Sequence, residues 1–131
     1  VQPVCSPALR DRGDWTQLPL IHVDWGKESQ FLPGWHEWFT AADRMPPARR
    51  GLTYNLTSLA IDAAVQGRGV LLGQRRLIGR ELAAGQLVTL AEPALPLSKP
   101  YYVVYPPRTL ENPGAAAFLA WLQTLASTDQ A

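Results

Sequence analysis

The chain has 131 residues, 47% of them apolar and 18% charged. That is enough for one domain with a buried core and too apolar for a disordered segment. Twelve basic and eleven acidic side chains leave a net charge of +1, and the single cysteine is Cys5. The first balance argues against a strongly electrostatic nucleic-acid surface. The second excludes an intramolecular disulfide framework and a cysteine-rich zinc site, and a reducing compartment is the default.

No apolar run approaches the roughly 20 residues that span a bilayer, and no charged segment followed by an apolar stretch opens the chain. Neither a membrane span nor a leader is therefore expected. Val1-Gln2-Pro3-Val4 reads as a strand continued from upstream, so the expectation is a piece of a longer protein. Twelve prolines and ten glycines punctuate short segments. Leu20–Trp25 is apolar and β-branched between Pro19 and Gly26, which predicts a strand. From Pro33 to Ala42, Trp35, Trp38, Phe39 and Ala42 recur at i, i+3, i+4 and i+7, one face of a helix with Pro33 suited to its first turn. Asp43–Arg50 contains Pro46-Pro47 and reads as a loop.

Leu52-Thr53-Tyr54 is a candidate strand. Leu56, Leu59, Ala60, Ala63 and Ala64 then mark a second helical face. Asn55, Thr57 and Ser58 offer N-cap oxygens, and Gly67 suits the position just past the helix end. Gly69–Gly73 is an apolar run without polar alternation, as expected for a strand covered on both faces. A third helix is expected near Arg75–Ala84, stopped by Gly85, followed by a strand at Leu87–Leu90. Ala91–Lys99 is a proline-containing connector. Tyr101–Tyr105 has the strongest strand composition of all. Asn112-Pro113 is a good helix start, and Ala115, Phe118, Leu119, Leu122 and Ala126 form the apolar face of a last helix whose tail, Ser127–Ala131, frays. The alternation of strand and helix argues for a layered α/β domain with a largely parallel sheet. In such sheets ligands bind beyond the carboxyl ends of the strands, here near Trp25-Gly26, Asn55–Ser58 and Gln74.

Catalytic patterns are weak. His36-Glu37 lacks a second histidine at helical spacing, because Thr40 stands there. Ser6 and Ser58 have no glycine elbow. His22 and His36 are read as surface or packed structural histidines, and Cys5 as a small buried hydrophobe. The glycines of Gly67–Gly73 end a helix and open a strand, the wrong order for a dinucleotide loop. Trp35 and Trp38 share a helix face and fit core packing. Trp25, at a strand end, fits either a pocket wall or a core cover. Asn55-Leu56-Thr57-Ser58 is the strongest local site. It joins a strand to a helix, whose N-terminal N–H groups and positive end favour a carboxylate or phosphate. The same residue types serve plain capping equally well.

These pieces resemble a known family. Thr57–Val70 is similar to the "AI-AA-x-G-x-GV-LG" segment of LysR-type transcriptional regulators. Four further stretches match in order. Pro3–Pro7 resembles "PV-x-SP", Leu18–His22 resembles "L-x-x-PLI", and Leu82–Val88 resembles "LA-x-G-x-LV". Tyr101–Pro106 with Phe118-Leu119-Trp121-Leu122 resembles the closing strand and last helix. The branch regulating glycine cleavage and β-lactamase induction is the nearest. The resemblance implies a periplasmic-binding-protein-like type II fold: residues 1–105 as the second lobe of an effector-binding domain, and 106–131 as a crossover and helix returning to an absent first lobe.

It implies no enzyme, no cofactor and no metal. The expected partners are a small, carboxylate or amino-acid-like effector and at least one further copy of the chain. DNA would be bound only through an N-terminal helix-turn-helix outside this chain, in the cytoplasm and away from membranes. It places the effector against Thr57, Ser58 and Asn55, with Tyr101 on the hinge strand and the Trp25-Gly26-Lys27 loop facing the same cleft. A solute-binding component of a transporter is the alternative with the same fold.

Overall fold

The computed structural model describes residues 1–24, 26, 32–47, 51–97 and 101–128. They belong to two compact units, Val1–Pro100 and Tyr101–Ala131. In the first unit, β1 (Gln2–Cys5), β2 (Leu20–Val23), β3 (Leu52–Tyr54), β4 (Val70–Gly73) and β5 (Val88–Thr89) form one sheet in the order β3-β2-β4-β1-β5. β2 runs parallel to β3 and β4, whereas β1 runs antiparallel to β4 and β5. Four strands thus share a direction and only β1 opposes them, which agrees with the expected mostly parallel sheet. Pro3 has no N–H, and it stands just past the end of β5, where its carbonyl accepts from Leu90 N–H at 2.9 Å.

Successive residues of a strand point to opposite faces. Val4, Ile21 and Leu71 join Ala60, Ala63, Ala64, Ile78 and Leu87 in one core. Their neighbours Cys5, Leu20 and Val70 join Leu9, Trp35, Trp38 and Phe39 in the other. The sheet is therefore covered on both sides, which is why these strands read as continuous apolar runs. α3 (Thr57–Val65) lays its alanines on the first face. α2 (Trp35–Ala41) lays its aromatic rings on the second, beside a short 3-10 turn at Trp15–Gln17. Trp38 and Phe39 meet edge to face at 5.3 Å, and Trp38 donates its indole N–H to the Pro93 carbonyl at 2.7 Å. Cys5 is a free, fully buried thiol, held up in pKa by that burial.

Two helices end in the same way. At the end of α3, Arg68 N–H donates to Ala63 O at 2.9 Å and Gly67 N–H to Ala64 O at 3.0 Å, with Gly67 at φ +73°. At the end of α4 (Gly79–Ala83), Gln86 N–H reaches Glu81 O at 2.8 Å and Gly85 N–H reaches Leu82 O at 3.1 Å, with Gly85 at φ +68°. This paired closure needs a left-handed residue, which glycine supplies without steric cost. α4 starts later than the expected Arg75, because Leu77 and Ile78 N–H groups turn back onto the Gln74 carbonyl first. α1 (Pro7–Arg10) is a single turn opened by Pro7.

In the second unit, a 3-10 helix at Pro107–Glu111 leads into α5 (Pro113–Thr128). Asn112 Oδ1 accepts from Gly114 N–H at 2.9 Å, which is the expected cap. Tyr101–Tyr105, expected as a strand, joins no ladder and its side chains are exposed. Strand propensity describes what fits a paired, half-covered sheet, and this segment pairs with no described strand. Within α5, Phe118 and Trp121 stack at 5.6 Å while both remain exposed. No described helix is long and apolar enough to cross a membrane.

Candidate functional site

β2 and β4 lie side by side in parallel, with Ile21 opposite Leu71. Their carboxyl ends therefore finish at the same edge of the sheet. The start of α3 and the start of α2 reach that edge, and together they enclose a cavity of about 170 Å³. Ile21, His22 and Val23 of β2 form one wall, and Leu71, Leu72, Gly73 and Gln74 form another. Thr57 and Ile61 contribute from α3, Pro33 and Trp35 from the α2 end, and Leu77 and Ile78 from the turn before α4. Trp35 is fixed there by its indole N–H, which donates to the Ile21 carbonyl at 2.9 Å. Gly34 in turn donates its backbone N–H to Glu37 Oε2 at 2.9 Å, which holds the first turn of α2.

The polar side chains of the wall are His22, Thr57 and Gln74, and no Asp, Glu, Lys or Arg lines it among the described residues. His22 is half-buried, and burial lowers its pKa, so the neutral imidazole is favoured. Its ring has no hydrogen-bond partner among the described residues. Leu56 occupies the N-cap of α3, and no side chain caps this helix end. The first N–H groups of α3 thus keep the orphan donors and partial positive charge of a bare helix start.

Of the six site residues expected from sequence, Thr57 lines the cavity. Asn55 and Ser58 flank it in the chain but are exposed and outside the wall. One residue along a helix turns the side chain by about 100°, so the neighbour of Thr57 across the wall is Ile61, one turn later, and not Ser58. Gly26 is exposed at φ +65°, with its N–H donating to Asp24 Oδ1 at 2.7 Å. Trp25 and Lys27 lie outside the described residues. Tyr101 opens the second unit, where it is exposed. His22, read from sequence as structural, stands in the wall instead. The signal was its place near the carboxyl end of a strand next to a parallel neighbour. Trp35 packs in the core as expected and lines the cavity as well.

The family model described as LysR substrate binding domain matches residues 1–127. The chain is 40% identical over 90 residues to the HTH-type transcriptional regulator PerR of Escherichia coli, covering 66% of this chain and 29% of that protein. It is 34% identical over 134 residues to the uncharacterized HTH-type transcriptional regulator y4mQ of Sinorhizobium fredii, covering 93% of this chain and 41% of that protein. The chain thus spans less than half the length of these relatives. Among solved structures, the AmpR effector binding domain from Citrobacter freundii aligns with a TM-score of 0.69 at 20% identity, over 97% of this chain and 63% of that one.

Proposed function

Because the chain belongs to the LysR substrate-binding domain family, we propose that it is the effector-sensing part of a bacterial LysR-type transcriptional regulator. It binds a small metabolite with a carboxylate or similar anionic head, and it performs no chemistry on that ligand. The observation that carries this reading is the cavity at the carboxyl ends of β2 and β4, closed by the uncapped start of α3 with Thr57 in its wall. The head group would meet the Thr57 hydroxyl and the first N–H groups of α3, at the positive end of the helix. Ser58 and Asn55 act there through their backbone rather than their side chains.

Sensing then follows from differential affinity. The effector shifts the population toward whichever arrangement it binds better, and the parent regulator reads that shift. The parent works in the cytoplasm and binds DNA through a helix-turn-helix outside this chain. The exposed rings of Phe118 and Trp121 on α5, with Leu125 beyond them, supply an apolar surface for a first lobe or a second copy, so a dimer at least is expected.

The test is a thermal-shift screen of the chain against amino acids, small carboxylates, aromatic acids and sugar phosphates, with Thr57→Val run beside it. Binding at about 100 times Kd adds close to 2.7 kcal/mol of stability, well above the noise of such a screen. A shift for one chemical class, lost in Thr57→Val at unchanged circular dichroism, supports the reading. A shift that Thr57→Val leaves intact refutes the site.

A further inference from the structure

We infer that the effector of this cavity carries an uncharged apolar side group that fills it, and that His22 is the residue selecting the polar atom borne on that group. This rests on the reading of the cavity as the effector site, and it narrows the ligand class. At about 170 Å³ the space is far larger than one water needs. It is close to the roughly 150 Å³ of an engineered aliphatic cavity, in another protein, that takes up benzene. A phenyl ring or a branched four-carbon chain is therefore the right size. The walls that Ile21, Val23, Ile61, Leu71 and Ile78 present are aliphatic. No described lining side chain carries a full charge of either sign, and the terminal amine of Val1, a residue of the wall, donates to the Leu95 carbonyl. A guanidinium or ammonium pushed inside would lose its water and find no counter-charge among the described lining residues, which strongly disfavours it. The charged head must then stay at the mouth, by the α3 start.

His22 breaks the apolar wall. It lines the cavity, half-buried, and pairs with no described residue. Thr57 sits by the helix start, whereas His22 comes from β2, so the two read different parts of one ligand. A neutral imidazole offers one donor and one acceptor. A hydroxyl or similar small polar atom on the side group would satisfy it, and a plain hydrocarbon would leave it unpaired. Sites of this kind reject the ligand that lacks the hydrogen-bonding atom more strongly than they reject one of slightly different size.

The experiment titrates the 131-residue chain by calorimetry with three sets of probes. The first pairs acetate with isovalerate and phenylacetate. The second contains glycine, leucine, phenylalanine, glutamate and arginine. The third contrasts phenylacetate with its 4-hydroxy form, in the wild type and in His22→Leu. The expected result is that the probes with an aliphatic or aromatic group bind at least about tenfold more tightly than acetate or glycine. The hydroxylated probe is preferred by a similar factor, and His22→Leu removes that preference alone. Leu77→Trp, a half-exposed wall position where the larger ring enters the cavity, should abolish apolar binding at unchanged circular dichroism. Tighter, Thr57-dependent binding of glycine, acetate, glutamate or arginine would overturn this inference while leaving the effector site standing. Binding of no probe in any set would overturn both. Apolar binding with a hydroxyl preference unchanged in His22→Leu would remove the role given to His22.

Discussion

The two faces of the sheet are built on opposite plans. On one side three alanines of α3, Ala60, Ala63 and Ala64, lie against Val4, Ile21 and Leu71. On the other, Trp35, Trp38 and Phe39 of α2 lie against Cys5, Leu20 and Val70. The strands contribute aliphatic residues of similar size to both sides, so the difference resides in the helices. Small side chains bring α3 close to the sheet and hold its start at the strand ends. Large rings hold α2 further off and fill the gap, and Trp35 and Trp38 each anchor an indole N–H on a backbone carbonyl. One face resists enlargement and the other resists truncation.

The largest expected effect is on the aromatic face. Trp38→Ala removes a fully buried ring and should cost about 3–5 kcal/mol, read from the urea midpoint. Next comes enlargement of the opposite face. Ala60→Leu inserts three carbons at a fully buried position and should cost about 1–3 kcal/mol in the same assay. If Ala60→Leu proved neutral, the two faces would not differ as described. The third effect compares two helix ends on the aliphatic side. Gly67→Ala and Gly85→Ala both force a side chain into the left-handed region and should each cost about 1–2 kcal/mol. Gly67 should be the worse, since an added Cβ would meet Ser6 Oγ at 3.2 Å whereas Gly85 faces open space. The smallest effect is in pH. Burial holds His22 below its usual 6.5, so the folded chain binds fewer protons than the unfolded one. Stability should be full above about pH 6.5 and decline as pH falls through the folded value. His22→Gln should flatten that decline in urea midpoints taken at pH 7.5 and 5.5.

Much of this architecture is legible in the residues. The spacing of Trp35, Trp38 and Phe39 marks a buried helix face, and the structure buries all three. Gly67 and Gly85 mark helix ends because few other residues close them so cheaply. Tyr101–Tyr105 misleads, because its composition reports fitness for a sheet and not the presence of a neighbour. The site was legible in part for a similar reason. Thr57 is visible as a strand-to-helix junction, a property of the chain's own order. Gln74 is expected at the same strand-end edge as Thr57, whereas His22 joins them in the cavity wall through the parallel pairing of β2 with β4, which neither segment shows alone. Ser58 shares the motif of Thr57 but not its direction, since a helix turns consecutive residues apart.

The alternation between the two cores has one further consequence. Val4 and Cys5, Leu20 and Ile21, and Val70 and Leu71 each divide between aliphatic and aromatic sides. Sliding any of these strands by a single residue in one direction would keep an apolar side chain at each of these positions, as with Pro19 and Leu20 in place of Leu20 and Ile21, so hydrophobicity alone cannot forbid that slip. What forbids it is fit: the slip would push Leu20 toward the alanines of α3 and turn Ile21 toward the rings of α2, and it would carry the Ile21 carbonyl away from the Trp35 indole. The register of this sheet is thus fixed by shape and by one indole hydrogen bond, where a one-sided sheet would fix it by polarity.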